Sequence, residues 1–189
     1  IKTSRFMILS TVGPGGTDAS PRGDRYKVAR IVYAKTLRLL DWKGNNRLES
    51  LNNIVKDGRL SLMFMVPGSD AVVRINGEAI VTADDDINGA FERDGRLPCT
   101  VTVITVSEVY FQCAKALMRS GLWQAGDAST KIPTAGEFLH EQAPEFAAVS
   151  YDKSYPPIRQ GTALVGDTVL VGRPSLVVDG HLTHITHIK

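Results

Sequence analysis

The side chains best suited to chemistry fall into three short stretches, and the richest is Asp41-Trp-Lys-Gly-Asn-Asn-Arg-Leu-Glu-Ser-Leu-Asn-Asn53. It sets Lys43 and Arg47 around a Gly-Asn-Asn loop that leads into helical spacing, with Leu48, Leu51, Ile54 and Val55 on one face. Asn46 is placed to cap that helix, and Glu49 to complete a capping box with it. An anion before such a helix would meet unpaired N–H groups, the positive end of the helix dipole and two cations. Asn46, Arg47, Ser50 and Asn53 share the opposite face, a pattern that also suits a plain, well-capped surface helix. The second stretch is Ser20-Pro-Arg-Gly-Asp24. A bend between Pro21 and Gly23 would aim the Arg22 guanidinium, which can fork two phosphate oxygens or simply be solvated. The third is Cys113-Ala-Lys-Ala-Leu-Met-Arg-Ser-Gly-Leu-Trp123. Lys115 and Arg119 lie four residues apart on a short helix that Gly121 would end, and an anion between them would relieve their repulsion. Trp123 follows, either as core filler or as a flat surface for a planar ligand.

Strands must position these groups. Runs at 5–12 and 17–20 make a hairpin across Gly13-Pro-Gly-Gly16, and further strand-like runs follow at 29–33, 36–41, 59–66, 71–82 and 99–112. A helix from Asn46 to about Lys56 interrupts them, and a short acidic one is expected after Asp84. Many antiparallel-looking strands with few helices predict a mainly β (α+β) fold, a closed or nearly closed barrel that hides its edges. The pattern weakens beyond Trp123. Residues 1–125 are expected to form the barrel domain and 126–189 a C-terminal extension. The extension has a helix from Thr134 to Gln142, a second near Glu145, and strand-like runs at 168–171 and 175–178.

Composition narrows the class. With 22 basic against 20 acidic residues, net +2, bulk charge does not point to nucleic acid or a membrane surface. Cys99 and Cys113 offer neither a disulfide framework nor a zinc spacing, and the three-residue spacing of His181, His184 and His187 suits no standard metal site. No apolar run reaches the roughly 18 residues of a membrane span, so a cytoplasmic location is the default expectation.

Taken together, Ser20-Pro-Arg-Gly-Asp24, Gly44-Asn-Asn-Arg-Leu-Glu-Ser-Leu51, Val66-Pro-Gly68, Val73-Arg-Ile-Asn-Gly77 and Cys113-Ala-Lys-Ala with Arg119-Ser-Gly-Leu-Trp123 have the order and spacing of one family. Over roughly residues 5 to 125 the chain resembles the pyridoxamine 5′-phosphate oxidase-like flavin-binding proteins. The resemblance implies an FMN-binding split β-barrel and a homodimer with one FMN in each of two clefts between subunits. The flavin phosphate would fall to Arg22, Lys43, Asn46, Arg47 and Ser50. The ring would fall, from the other subunit, to Lys115, Arg119 and Trp123. A cation near the N1 edge of the ring would stabilise its reduced form, and the redox chemistry would belong to the cofactor. No catalytic side chain is assigned.

The implied activity is an FMN-dependent oxidoreductase passing electrons between a nicotinamide nucleotide and a small acceptor. A non-catalytic flavin carrier or redox-responsive module, a deazaflavin-dependent reductase, and a haem-binding member of the fold are the alternatives. Two departures shape the expectation. The Arg-Leu-x-Pro ending by which the true oxidases bind substrate is replaced by Thr183-His-Ile-Thr-His-Ile-Lys189, which argues against vitamin B6 oxidation. Ser50 also stands where those oxidases carry a phosphate-binding lysine, with Arg47 as its substitute.

Overall fold

The computed structural model describes residues 1–42, 48–113, 115–154, 176–178 and 181–183. Lys43, Asn46 and Arg47, like His184, His187 and the run at 168–171, lie outside these residues. The described residues up to Gln124 make one compact unit and those from Ala125 a second.

The first unit is a seven-stranded antiparallel sheet. Its strands are β1 (Phe6–Gly13), β2 (Gly16–Gly23), β3 (Arg30–Tyr33), β4 (Thr36–Asp41), β5 (Arg59–Met65), β6 (Ala71–Thr82) and β7 (Thr100–Cys113). They lie in the order β2-β1-β5-β6-β7-β4-β3. Alternation along each strand sends one set of side chains to a common interior. Met7 and Leu9 of β1, Leu37 and Leu39 of β4, Leu60, Leu62 and Phe64 of β5, Ile75 and Ala79 of β6, and Ile104 of β7 are buried in one cluster.

The sheet is rolled. In a flat sheet β2 and β4, five strand positions apart, would be separated by about 24 Å at the usual ~4.8 Å spacing. Instead Arg22 of β2 reaches Asp41 of β4 at 3.6 Å. No ladder joins β2 to β4 or β3 among the described residues, so the barrel stays open along this seam. This is the mainly β split barrel that the sequence leads one to expect.

Where β6 meets β7 the register shifts between Asn76 and Gly77. A Cβ on Gly77 would collide with the Thr105 carbonyl oxygen, so glycine is what lets the two backbones approach there. Helix α1 (Glu49–Lys56) joins β4 to β5, and α2 (Asp85–Gly89), capped by the Asp84 carboxylate, joins β6 to β7. Helix α3 (Lys115–Ser120) follows β7.

Three sequence expectations need correction. The run Ser20-Pro-Arg-Gly23 is strand, not bend: β2 continues through it, with Pro21 opposite Ile8 and Arg22 opposite Met7. Pro21 is tolerated because β2 is an edge strand, where half of the N–H groups have no ladder to serve. Helix α1 begins at Glu49 after Leu48, with no side-chain cap, so Glu49 is its first residue and not the third of a capping box. The helix also faces the other way in part. Ile54 is buried, but Val55 is exposed, while Ser50 is buried and Asn53 half-buried against β1 and β2.

In the second unit a 3₁₀ turn (Ser129–Lys131) precedes α4 (Ala135–Gln142), which starts with a capping box between Thr134 and Glu137. Asp152 of α5 (Ala148–Ser154) accepts bonds from the Thr134 hydroxyl and the Gly136 N–H, tying the two helices together. Strands β8 (Leu176–Val178) and β9 (His181–Thr183) form a separate ladder.

Candidate functional site

The interior face of the edge strand β2 is polar. Asp18, Ser20 and Arg22 lie opposite Thr11, Leu9 and Met7, whose side chains are buried, and therefore point into the barrel. Helix α1 meets the far part of this stripe. The Ser50 hydroxyl donates to Asp18 Oδ2 at 2.7 Å, and the Asn53 amide donates to the Thr11 hydroxyl at 3.2 Å. Ser50 is thus held inside the fold by a carboxylate, where the sequence suggests an anion contact on an open face.

The near part of the stripe opens onto a cavity of about 230 Å³ at the seam, walled by Met7, Arg22, Asp24, Asp41, Trp42 and Leu51 among others. Arg22 pairs loosely with Asp41, each side chain about a quarter exposed. Burial pushes the Asp41 carboxyl up from its usual range, and the neighbouring Arg22 charge opposes that shift without cancelling it. Among the described residues neither the Arg22 Nε nor the Trp42 indole N–H, both buried, has a hydrogen-bond partner. Buried donors are normally satisfied, and acceptor atoms of a ligand in the cavity could satisfy these two.

A second basic residue, Arg93, stands beside the cavity wall. Arg93 Nη1 donates to both Asp24 oxygens, at 2.8 and 3.1 Å, and its guanidinium lies over the rings of Tyr26 and Trp42 at 5.2 and 5.0 Å. Asp24 Oδ1 also accepts the Tyr26 N–H at 2.8 Å.

The other group from the sequence lies on the outer face of the sheet. Lys115 and Arg119 are exposed on α3. Trp123 packs with Met65, Val72, Ile8, Met63 and Leu117, and its indole N–H donates to the Ser69 carbonyl at 2.9 Å. Within one chain, then, Arg22 and Ser50 face the interior and Lys115, Arg119 and Trp123 the exterior, and the structure does not bring the two groups together. Sequence reasoning missed Asp41, Trp42, Asp24 and Arg93 as parts of the site. The one local signal for Arg93 was Asp94-Gly95, a strong marker of a tight hairpin turn.

The family model for pyridoxamine 5′-phosphate oxidase matches residues 1–113, more than half of the chain. The chain belongs to the pyridoxamine 5′-phosphate oxidase family. No curated protein matches. Among solved structures, HupZ of Group A Streptococcus is 17% identical with a TM-score of 0.47, the match covering 58% of this chain and 86% of that one. A candidate pyridoxamine 5′-phosphate oxidase of Lactobacillus delbrueckii is 20% identical, TM-score 0.43, over 56% and 84%. An FMN-binding protein of Syntrophomonas wolfei is 14% identical, TM-score 0.41, over 56% and 75%. No helix among the described residues is long and apolar enough to cross a membrane.

Proposed function

We propose that this family member binds FMN and is an oxidoreductase that moves electrons between a nicotinamide nucleotide and a small acceptor. The observation that carries the reading is the seam cavity, whose Arg22 and Trp42 have buried donors unpaired among the described residues. Each such donor costs about 1–3 kcal/mol, and a phosphate monoester, doubly charged and rich in acceptor oxygens, would remove that cost. Arg22 would take the phosphate with Lys43, Asn46 and Arg47, which follow β4 in the sequence, and Ser50 would join them only by turning from Asp18.

The cavity, at about 230 Å³, is below the ~300 Å³ at which sites for whole small molecules begin. It suits one end of a flavin, with the ring lying beyond it. In a homodimer the ring would meet Lys115, Arg119 and Trp123 of the second copy, which fits their place on the outer face. Bound FMN would supply the hydride chemistry. The protein's own part is to anchor the phosphate, orient the ring and set a cation near the edge where reduction places negative charge.

The test is the visible spectrum of the purified protein, mass identification of whatever heat releases, and titration with FMN. A flavin chromophore and saturable FMN uptake are expected, and a colourless protein that takes up no FMN overturns the reading. NADH or NADPH oxidation above the rate of free FMN separates the oxidoreductase from a flavin carrier.

A further inference from the structure

The open seam needs something to fix its two lips, since no backbone ladder crosses it among the described residues. Asp24 directly follows β2 and Trp42 directly follows β4, so these two residues are the ends of the lips. Arg93 touches both. It grips the Asp24 carboxylate with one nitrogen, and its guanidinium carbon lies over the Trp42 ring and over the Tyr26 ring, 5.0 and 5.2 Å from their centres. The Arg93 and Asp24 side chains are 22% and 10% exposed, so the pair is screened from water far more than a surface ion pair.

The platform that carries Arg93 is itself stiff. Arg93 and Arg96 exchange both backbone bonds at 2.8 Å around Asp94 and Gly95, with φ of 51° and 73°. Positive φ at both central residues is the pattern of a type I′ hairpin, the tightest of the common reversals. Arg93 is therefore delivered to the seam at a set height and angle. Its buried Nη2 has no partner among the described residues, so its hydrogen bonds to Asp24 leave donor capacity in reserve.

We propose that Arg93 is a positioning residue of the cavity, a clasp that sets the Trp42 indole in the wall and holds the two lips of the seam at the spacing the ligand needs. The proposal rests on the flavin reading for the identity of the ligand, but not for the placement of Trp42. Lysine at this position keeps the charge for Asp24 and loses the planar guanidinium over the two rings, so Arg93→Lys separates the clasp from a mere ion pair.

The chain has two tryptophans. In a Trp123→Phe background Trp42 is the sole emitter and reports its own surroundings. Relative to that background, Arg93→Lys is expected to change the emission maximum and lower the anisotropy of Trp42. In the protein with Trp123 intact, Arg93→Lys should raise the FMN dissociation constant about three- to tenfold, with the thermal midpoint nearly unmoved. Should that variant fail to fold, Tyr26→Leu removes one ring at a residue that is 59% exposed and should act in the same direction. Unaltered Trp42 emission overturns the proposal, as does an FMN affinity that changes while the emission does not. If the wild-type protein binds no FMN, the flavin reading falls, and the ligand-free emission still decides the clasp.

Discussion

Replacing Arg22 by Met and Asp41 by Asn, singly and together, tests whether the seam is held by charge. At their separation of 3.6 Å, two unit charges attract by about 4.6 kcal/mol at an effective dielectric of about 20, and by about 1.2 kcal/mol in bulk water. With each side chain about a quarter exposed, a coupling of about 1–3 kcal/mol follows. Its pH dependence has a definite sign. The folded Asp41 holds its proton to higher pH than the unfolded one, because burial outweighs Arg22. The folded state therefore binds more protons just above pH 3.8, and this group's contribution to stability falls as pH rises through the folded value and is level beyond it. Arg22→Met removes the opposing charge, raises the folded carboxyl further and deepens that loss. Its penalty should be full at pH 8 and fade toward pH 4, where Asp41 is increasingly protonated. Urea unfolding of the four ligand-free proteins at the two pH values gives the double-mutant cycle. A coupling below about 0.5 kcal/mol at pH 8, or one equal at both pH values, would refute the reasoning.

Three further outcomes are open to measurement. Arg47→Ala should weaken FMN binding by about 1.5–3 kcal/mol, roughly 10- to 150-fold, and an unchanged dissociation constant in a fluorescence titration would remove Arg47 from the site. Gly77→Ala drives a Cβ against the Thr105 carbonyl and should cost about 3 kcal/mol in urea unfolding, since backbone and not a flexible side chain must yield. Trp123→Phe keeps the packing on Met65 and Val72 but loses the bond to Ser69, for about 0.5–1.5 kcal/mol. If it also shifts the bound-flavin spectrum, Trp123 touches the ring.

What the sequence made legible is what local pattern controls. The threonine and valine alternation of β7 and the polar and apolar faces of β6 announce their strands, and the helical run from Thr134 to Gln142 announces α4. The errors lie where a distant partner decides. Ser50 and Asn53 look like the wet face of α1 because their partners, Asp18 and Thr11, are more than 30 residues away on a hairpin whose own inner face is polar. Pro21 and Gly23 look like a bend because nothing local says that β2 will be an edge. The cavity was half visible. Arg22 could be named from its chemistry, but Asp41, Trp42 and Arg93 become site residues only when the sheet rolls and brings the ends of β2 and β4 together.

The edge position of β2 has a consequence for solubility. An edge strand offers its free N–H and C=O groups to any passing strand, and proteins block such growth with proline and with charges pointing inward from the edge. Pro21 deprives β2 of one donor, and a strand added alongside would crowd Asp18 and Arg22 at the mouth of the barrel. The polar stripe whose Arg22 lines the cavity thus also guards the chain against self-association through this edge. Variants that make the stripe apolar to reshape the cavity would be expected to precipitate before they could be assayed.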